Sequence, residues 1–360
     1  MHQQNIFWRQ LTSEFYEKQE IYQESYKCLN AFLNVPEIIE IQTKKYLREN
    51  EYEKYKNTIC KLSEFYKQHN QERFNNNLSG NNITKSSEEK CISDFMEKSV
   101  LFLILQEMCN GIGRELFDIQ ENQVKYEKYS NYRYSDLGAH TPSPVIDLIT
   151  GNEKRGTFYK KIPRKRNQVY RFKYRKDGNL ISAFSYLKEK PRYFCSILYS
   201  ENYIFYLKYR IVGDEESDIY FLSYIDIVKC EGDKPEYLEK TNYFPDLGIC
   251  SIDKESYIYK KENLDKWIFE TYLFPVENGG LKYGKLCRTL YTVKYDKEGY
   301  ICNYTSNRYM GSEARIKSED NLFIQKHIVQ REKSLDTGKD AVRWQYPPNY
   351  FSCQNRKSNV

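Results

Sequence analysis

Residues 203–228 read YIFYLKYRIVGDEESDIYFLSYIDIV, which is two apolar stretches separated by a short acidic segment. The first stretch places large apolar side chains at every second position: Tyr203, Phe205, Leu207 and Tyr209. Successive side chains of a strand point to opposite faces, so this spacing predicts a strand with Lys208 and Arg210 on its other face. The second stretch, 219–228, is almost continuously apolar, which is typical of a central strand.

Strand and turn signals continue on both sides of this stretch. Asp177-Gly178, Glu298-Gly299 and Asn278-Gly279-Gly280 indicate turns between strands. Residues 322–329 fit either a helix or a strand. The segment Asp214 to Asp218 is interpreted as an acidic, solvated hairpin loop.

Two windows share one pattern. Residues 170–180 read YRFKYRKDGNL and residues 291–301 read YTVKYDKEGYI, and both describe a strand, a tight turn with glycine and a return strand. The pattern is similar to the hairpin unit of the YD repeats in large bacterial toxin shells. The resemblance covers only these two windows and is one of hairpin geometry. A duplicated half-domain is one interpretation of the pair.

The first third of the chain has the periodicity of helices. Apolar residues from Trp8 to Leu33 recur at spacings of three, four and seven, which predicts a long helix that ends before Pro36. Pro36 is suited to the first turn of a second helix. A third helix is predicted to end near Gly111 and Gly113, and a further helical stretch to reach about Tyr129. The sequence therefore predicts an α+β fold.

The domain prediction follows from this change of periodicity. Residues 1–130 are predicted to form a helical hairpin or bundle, and residues 131–155, with their glycines and prolines, a linker. Residues 156–360 are predicted to form an antiparallel β domain, either a sandwich or a curved sheet, with a C-terminal arm.

Composition limits the class of protein. The longest apolar run has six residues and the N-terminal residues carry scattered charges, so neither a membrane span nor a secretory leader is expected. The ten cysteines form no CxxC pair, which favours reduced, buried thiols in a cytoplasmic protein. The 35 tyrosines fit either a biased genome composition or a recognition surface.

Charge is concentrated in one segment. Residues 154–176 contain eleven Lys and Arg and no Asp or Glu, against a net charge of +6 for the chain, so the remainder carries −5. Such a segment is a candidate for binding phosphates or an acidic protein surface. The candidate binding residues are Lys160, Lys161, Arg164, Lys165, Arg166, Arg171, Lys173 and Arg175.

The strand within this segment alternates cations with aromatic residues. Arg171, Lys173 and Arg175 are predicted to share one face, and the aromatic residues at 170, 172 and 174 the other. The simplest interpretation is that the aromatic face packs in the core and the cations form a solvated outer face. Stacking of single-stranded bases is disfavoured, because it requires aromatic and basic side chains on the same face.

No sequence motif predicts a catalytic, metal or cofactor site. The four histidines, His2, His69, His140 and His327, form no metal-binding pattern, and no glycines surround Ser143 as in a nucleophile elbow. A Cys–His pair assembled in space by His140 or His327 remains the route to an enzyme of unrecognised type.

The favoured function is a non-catalytic intracellular binding protein whose partner is another protein, such as a toxin or other effector met by an inhibitor or immunity protein. The alternative is a nucleic-acid-binding protein that uses residues 154–176. The sequence does not define the oligomeric state.

Overall fold

The fold is given by a computed structural model of the chain. The structure describes residues 23–44, 98, 101–102, 104–106, 108–130, 157–159, 168–187, 190–212, 219–232, 234–244, 249–261, 263–277, 280–281, 285–295, 301–310, 323–328 and 342–343.

Three helices have defined bounds, and further helical residues are described at 98, 101–102, 104–106 and 108–109. The helices are α1 (Gln23–Leu33), α2 (Pro36–Lys44) and α3 (Gly113–Glu121). The strands are β1 (Tyr126–Ser130), β2 (Thr157–Tyr159), β3 (Gln168–Tyr174), β4 (Leu180–Leu187), β5 (Lys190–Tyr199), β6 (Tyr203–Val212), β7 (Ile219–Glu231), β8 (Lys234–Phe244), β9 (Ile249–Lys260), β10 (Asn263–Glu277), β11 (Gly280–Leu281), β12 (Lys285–Tyr295), β13 (Ile301–Met310), β14 (Phe323–Ile328) and β15 (Val342–Arg343).

The described strands form one antiparallel sheet in which most neighbours in space are also neighbours in the chain. Its order is β14-β13-β12-β10-β9-β8-β7-β6-β5-β4-β3-β1-β2-β15, with β11 paired to β10. This order results from hairpins between consecutive strands, because two antiparallel strands can be joined by a tight turn. The turn between β3 and β4 is one example: Gly178 takes a φ of 83°, and the N–H of Arg175 donates to the carbonyl of Asn179.

The two faces of the sheet are buried in separate clusters. The helices cover one face, and this cluster includes Phe194 from β5, Phe205 and Tyr209 from β6, and Ile227 from β7. We call this the helix face. The opposite face has its own cluster, which runs from Phe172 in β3 to Val293 in β12. The central strands are therefore buried on both sides, so the alternation of side chains decides which cluster each residue joins.

Aromatic rings hold the helical layer to the sheet. Phe32 of α1 packs edge-on against Phe205, with ring centroids 5.1 Å apart. Phe117 of α3 packs edge-on against Phe184 and Phe194, with centroids at 5.8 and 5.9 Å. Edge-to-face pairs of this kind add to the free energy gained from burial of the rings themselves.

The structure confirms the α+β class and the antiparallel sheet. It also confirms that one helix ends before Pro36 and another begins there, and that residues 170–180 and 291–301 contribute to antiparallel pairs, β3 with β4 and β12 with β13. Residues 322–329, which fit both structures, contain the strand β14.

One prediction in this region is wrong. The helical stretch expected to reach about Tyr129 ends at Glu121, and Tyr126–Ser130 form β1. Their pairing with β3 overrides local propensity: Tyr126 lies opposite Tyr174 and the two rings stack, with centroids 4.9 Å apart. The other helical predictions, for residues before 23 and for 45–97, fall outside the described part of the chain. None of the described helices is long and apolar enough to cross a membrane.

Gly113 sets how closely α3 approaches the sheet. A Cβ atom at this position would lie 2.7 Å from Cβ of Tyr220 and 2.8 Å from Cδ1 of Tyr209. Both tyrosines are buried, and the Tyr209 hydroxyl donates to the carbonyl of Cys109 at 3.0 Å. A Cβ atom at position 113 can therefore be accommodated only if α3 moves away from the sheet and this packing is disturbed.

We expect Gly113→Ala to lower the free energy of unfolding by about 1–3 kcal/mol, the usual range for overpacking. In an exposed helix the same change would stabilise, because alanine has the higher helix propensity. Denaturant unfolding measures the difference.

Asp118→Ala in the same helix is the matched control, since it removes only an exposed ion pair with Arg114 and is expected to change stability by less than about 0.5 kcal/mol. An unchanged or raised stability in Gly113→Ala would contradict the close packing.

Candidate binding surface

The structure describes three of the eight candidate basic residues. Arg171 and Lys173 lie in β3 and Arg175 follows it, whereas Lys160, Lys161, Arg164, Lys165 and Arg166 lie outside the described residues. Tyr170, Phe172 and Tyr174 are buried in the cluster opposite the helices, as the predicted alternation requires.

Arg171 is held by a carboxylate of the neighbouring strand. Its Nε and one terminal nitrogen donate to the two oxygens of Glu127 at 2.9 and 2.5 Å. The Tyr129 hydroxyl donates to the same carboxylate at 2.9 Å. Partial burial of the Glu127 carboxyl opposes its ionisation, but these hydrogen bonds outweigh that effect and hold its pKa below the ordinary value.

Lys173 lies beneath α3. Its side chain is 3% exposed, and its ammonium group pairs with Glu121 at the end of that helix. The same ammonium lies 4.9 Å from the centre of the Phe184 ring and 5.6 Å from that of Phe117. Burial is the main reason that the pKa of Lys173 lies below its ordinary value, although the Glu121 carboxylate opposes this shift.

Arg175 is also paired within the chain. It binds Asp177 of the following turn at 2.8 Å and lies 3.8 Å from a carboxylate oxygen of Glu37 in α2. The predicted solvated outer face is therefore wrong for Lys173, which α3 buries, whereas the side chains of Arg171 and Arg175 remain 34% and 32% exposed and are ion-paired. Their positive charge is largely neutralised inside the molecule.

A second charged cluster joins α1 and Lys98 to strands β7–β9. Glu239 of β8 is 1% exposed, and its oxygens lie 3.0 Å from Nζ of Lys98 and 3.4 Å from Nζ of Lys254. Within the described structure neither oxygen accepts an aligned hydrogen bond. The two cations are therefore what makes a buried carboxylate tolerable here.

Glu24 of α1 belongs to the same cluster. It accepts a hydrogen bond from the Tyr203 hydroxyl at 2.9 Å and lies 2.8 Å from Nζ of Lys229, which also pairs with Glu236. The Tyr237 ring stands among three ammonium groups, those of Lys98, Lys229 and Lys254, at 5.1 to 5.6 Å. The charges of the cluster are paired with one another, so the cluster attaches the helical layer to the sheet.

The exposed end of the β6–β7 hairpin has a different character. Among the described residues, three of the five large apolar side chains that remain exposed lie here: Val212 is 44% exposed, Ile219 56% and Phe221 51%. Val212 lies directly opposite Ile219, and Arg210 opposite Phe221. These four residues, Arg210, Val212, Ile219 and Phe221, share the face opposite the helices, and we call them the hairpin-end surface.

Burial decreases along this face toward the hairpin end. Ile204 and Tyr206 of β6 are buried in the second cluster, and Lys208 is 6% exposed. The Lys208 ammonium lies 4.3 Å from the centre of the Tyr193 ring and 4.9 Å from that of Tyr224. Arg210, two residues further on, is exposed and forms no ion pair or hydrogen bond among the contacts of the described residues.

The helix face of the same hairpin is well packed. Ile211 and Tyr220, which lie opposite each other, are both buried in the cluster under the helices. The hairpin end is therefore held from one side while its other side presents apolar groups to solvent.

The sequence carried part of this information. The alternation in residues 203–210 placed Arg210 correctly, away from the helix face. The apolar run 219–228 was interpreted as a central strand, which β7 is, but the run gave no sign that its first residues are exposed on one face. The acidic segment 214–218, which joins the two strands in sequence, lies outside the described residues.

The described residues offer no metal site, and two of their buried cysteines are unsuited to act as nucleophiles. They contain no group of three or more His, Cys, Asp or Glu side chains arranged to hold a metal ion. Four cysteines, Cys28, Cys109, Cys195 and Cys230, are buried free thiols, as expected for these positions. Burial raises the pKa of the Cys28 and Cys109 thiols well above their ordinary value, so neither is suited to act as a nucleophile.

Comparisons with protein-family models, with curated proteins and with solved structures find no match to this chain.

The ionisation of Glu24 gives a test of the charged cluster. Burial opposes ionisation of this carboxyl, but its hydrogen bonds with Lys229 and Tyr203 lower its pKa below 4.5. The stability that Glu24 contributes is then present above that value and is lost as the pH falls through the folded-state pKa. We expect Glu24→Gln to lower the free energy of unfolding by about 1 kcal/mol at neutral pH, after allowance for its partial exposure.

The difference between the two proteins should shrink as the pH falls into the acid range, and denaturant unfolding across a buffer series measures it. Glu201→Gln, at an exposed carboxyl with no ion pair in the described structure, is the control and should follow the wild type throughout. A constant difference between Glu24→Gln and the wild type at every pH would show that the charge of Glu24 is not the cause.

Proposed function

We propose that the chain is a protein-binding protein that docks its partner on the hairpin-end surface. The observation that carries the proposal is the exposure of Val212, Ile219 and Phe221 beside Arg210 on one face of two paired strands. Aromatic side chains and arginine are enriched at protein interfaces, and a few such residues supply most of the binding free energy.

Two features support this choice of surface. Single exposed apolar residues are ordinary on any protein, as with Ile39 of α2 and Ile258 of β9. Three that lie side by side are unusual, because contiguous apolar surface lowers solubility and commonly marks an interaction site. The packed helix face of the hairpin, with Ile211 and Tyr220, also holds this surface in a fixed shape before binding, which reduces the entropy lost on association.

A cytoplasmic inhibitor or immunity role against a toxin or other effector is the form of this function that the sequence favours. The linker predicted at 131–155 stays part of the proposal as a prediction, and so does the helical domain predicted at 1–130 for the residues that precede β1. In this proposal the helices pack on one face of the sheet, and the hairpin-end surface on the opposite face binds the partner.

Nucleic-acid binding by residues 154–176 is the competing hypothesis. Within the described residues the three cations of that segment are paired with Glu127, Glu121 and Asp177. An ion-paired cation releases fewer counterions when it meets a phosphate, so these three contribute little to such binding. The hypothesis then depends on residues 160–166.

Affinity capture from a lysate of the source cells separates the two hypotheses. We expect the tagged chain to retain a protein after nuclease treatment, and Phe221→Ser to lose it, with a fall in affinity of about tenfold or more, the effect of removing a central aromatic residue. Binding of the purified partner, measured by calorimetry, gives the size of the loss.

Ile258→Ser is the matched control, because Ile258 has similar exposure but lies on β9, and it should bind as the wild type does. Equal retention by Phe221→Ser and the wild type would refute the proposed surface. Recovery of nucleic acid alone, lost when Arg164, Lys165 and Arg166 are each changed to Glu, would establish the competing hypothesis instead.

A further inference from the structure

We infer that the hairpin-end surface recognises a protein segment in which a carboxylate lies next to apolar side chains, with Arg210 as the group that binds the carboxylate. This inference rests on the proposed function, which it deepens by naming the chemistry of the partner.

The described neighbours of Arg210 carry no negative charge. Its direct neighbours on the adjacent strands are Tyr193 in β5 and Phe221 in β7, and neither carries a charge. Two residues away on the same face is Lys208, a second cation. The charges that the structure describes around Arg210 on this face are therefore positive, and they favour an anion over a cation from a partner.

One carboxylate lies further along this face. Asp226 of β7 lies opposite Tyr206 on one side and opposite Lys240 of β8 on the other. Its register therefore places it beside the buried second cluster rather than beside Arg210, which lies four residues further along β6 than Tyr206. The charge of the guanidinium is not neutralised by the described part of the sheet.

Arg171 shows what an arginine in this setting does when a carboxylate is present. Its direct neighbours on the adjacent strands are also two aromatic residues, Tyr129 in β1 and Phe184 in β4. It binds Glu127 through two hydrogen bonds, at 2.9 and 2.5 Å. The two arginines have the same kind of flanking residues, but among the described residues Arg171 has an acidic partner and Arg210 has none.

The planar guanidinium suits this role. It stacks on aromatic rings while its edge donates two parallel hydrogen bonds to a carboxylate, a geometry that an ammonium group does not reproduce. A carboxylate bound at Arg210 would lie beside Phe221 and Val212, which exclude water once the partner covers them. Hydrogen bonds between charged groups are stronger in such a dry environment.

Selection from a displayed library of random peptides tests the inference even while the partner is unidentified. The full chain is immobilised, and peptides that it retains but that Phe221→Ser does not retain are sequenced. We expect Asp or Glu next to aromatic or branched aliphatic residues in these peptides. One selected peptide is then synthesised with a fluorescent label, and its affinity is measured by anisotropy.

A double-mutant cycle identifies the pair of interacting groups. Replacing the acidic residue of the peptide by its amide should weaken binding to the wild-type chain by about tenfold to a hundredfold, as for other charged hydrogen bonds. The same replacement should change binding to Arg210→Gln by less than about threefold, because the partner of the carboxylate is already absent. Arg210→Lys should recover only part of the affinity.

Arg192→Gln, at another exposed arginine with no ion pair in the described structure, is the control for a loss of general positive charge and should bind as the wild type does. Selected peptides that depend on Phe221 but show no acidic preference, or no coupling with Arg210, would overturn the inference and leave the proposed function intact.

Other outcomes count against both. Enrichment of no peptide that depends on Phe221, self-association of the chain through this surface, or binding of an oligonucleotide that is lost in Arg210→Gln would each overturn the inference and the proposed surface together.

Discussion

Register between neighbouring strands is the constraint on which the rest of the structure depends. Because successive strands pair as hairpins, the assignment of one side chain to a face fixes the assignment of the residues opposite it. Tyr209 on the helix face thus places Phe194 and Leu222, its neighbours on β5 and β7, on that face as well. A slip of one residue between β6 and β7 would exchange Tyr220, which packs on Phe117, with the exposed Phe221.

The local sequence predicts a strand or a helix correctly where the two-residue period of strands is clearly distinct from the 3.6-residue period of helices. The alternation in residues 203–209 and the Asp177-Gly178 turn are local signals, and both correspond to the structure. The prediction of a helix fails at residues 126–130, because pairing with β3, which is distant in sequence, decides their structure rather than their own apolar pattern. The short apolar segment 322–329 carried no period long enough to separate helix from strand, and only pairing with β13 decides it.

The same limit explains the basic strand. Alternation correctly divided residues 170–175 into aromatic and cationic faces, but it carried no information on what covers the cationic one. The partner of Arg171 is 44 residues away and that of Lys173 is 52 residues away. A run of cations in a sequence therefore gives the number of positive charges. The charge that remains available to a ligand depends on which carboxylates, distant in sequence, pair with those cations in the folded protein.

The hairpin-end surface presents the opposite case, in which side chains are exposed without an evident structural reason. Ile211 and Tyr220 already anchor the end of the hairpin from the helix face, so the stability of the fold does not require apolar residues at 212, 219 and 221. Polar side chains at these positions would be compatible with the same strand pairing and would favour solubility. Strand propensity favours Val, Ile and Phe at these positions, but it leaves their apolar surface in water, whereas burial against a partner would remove it.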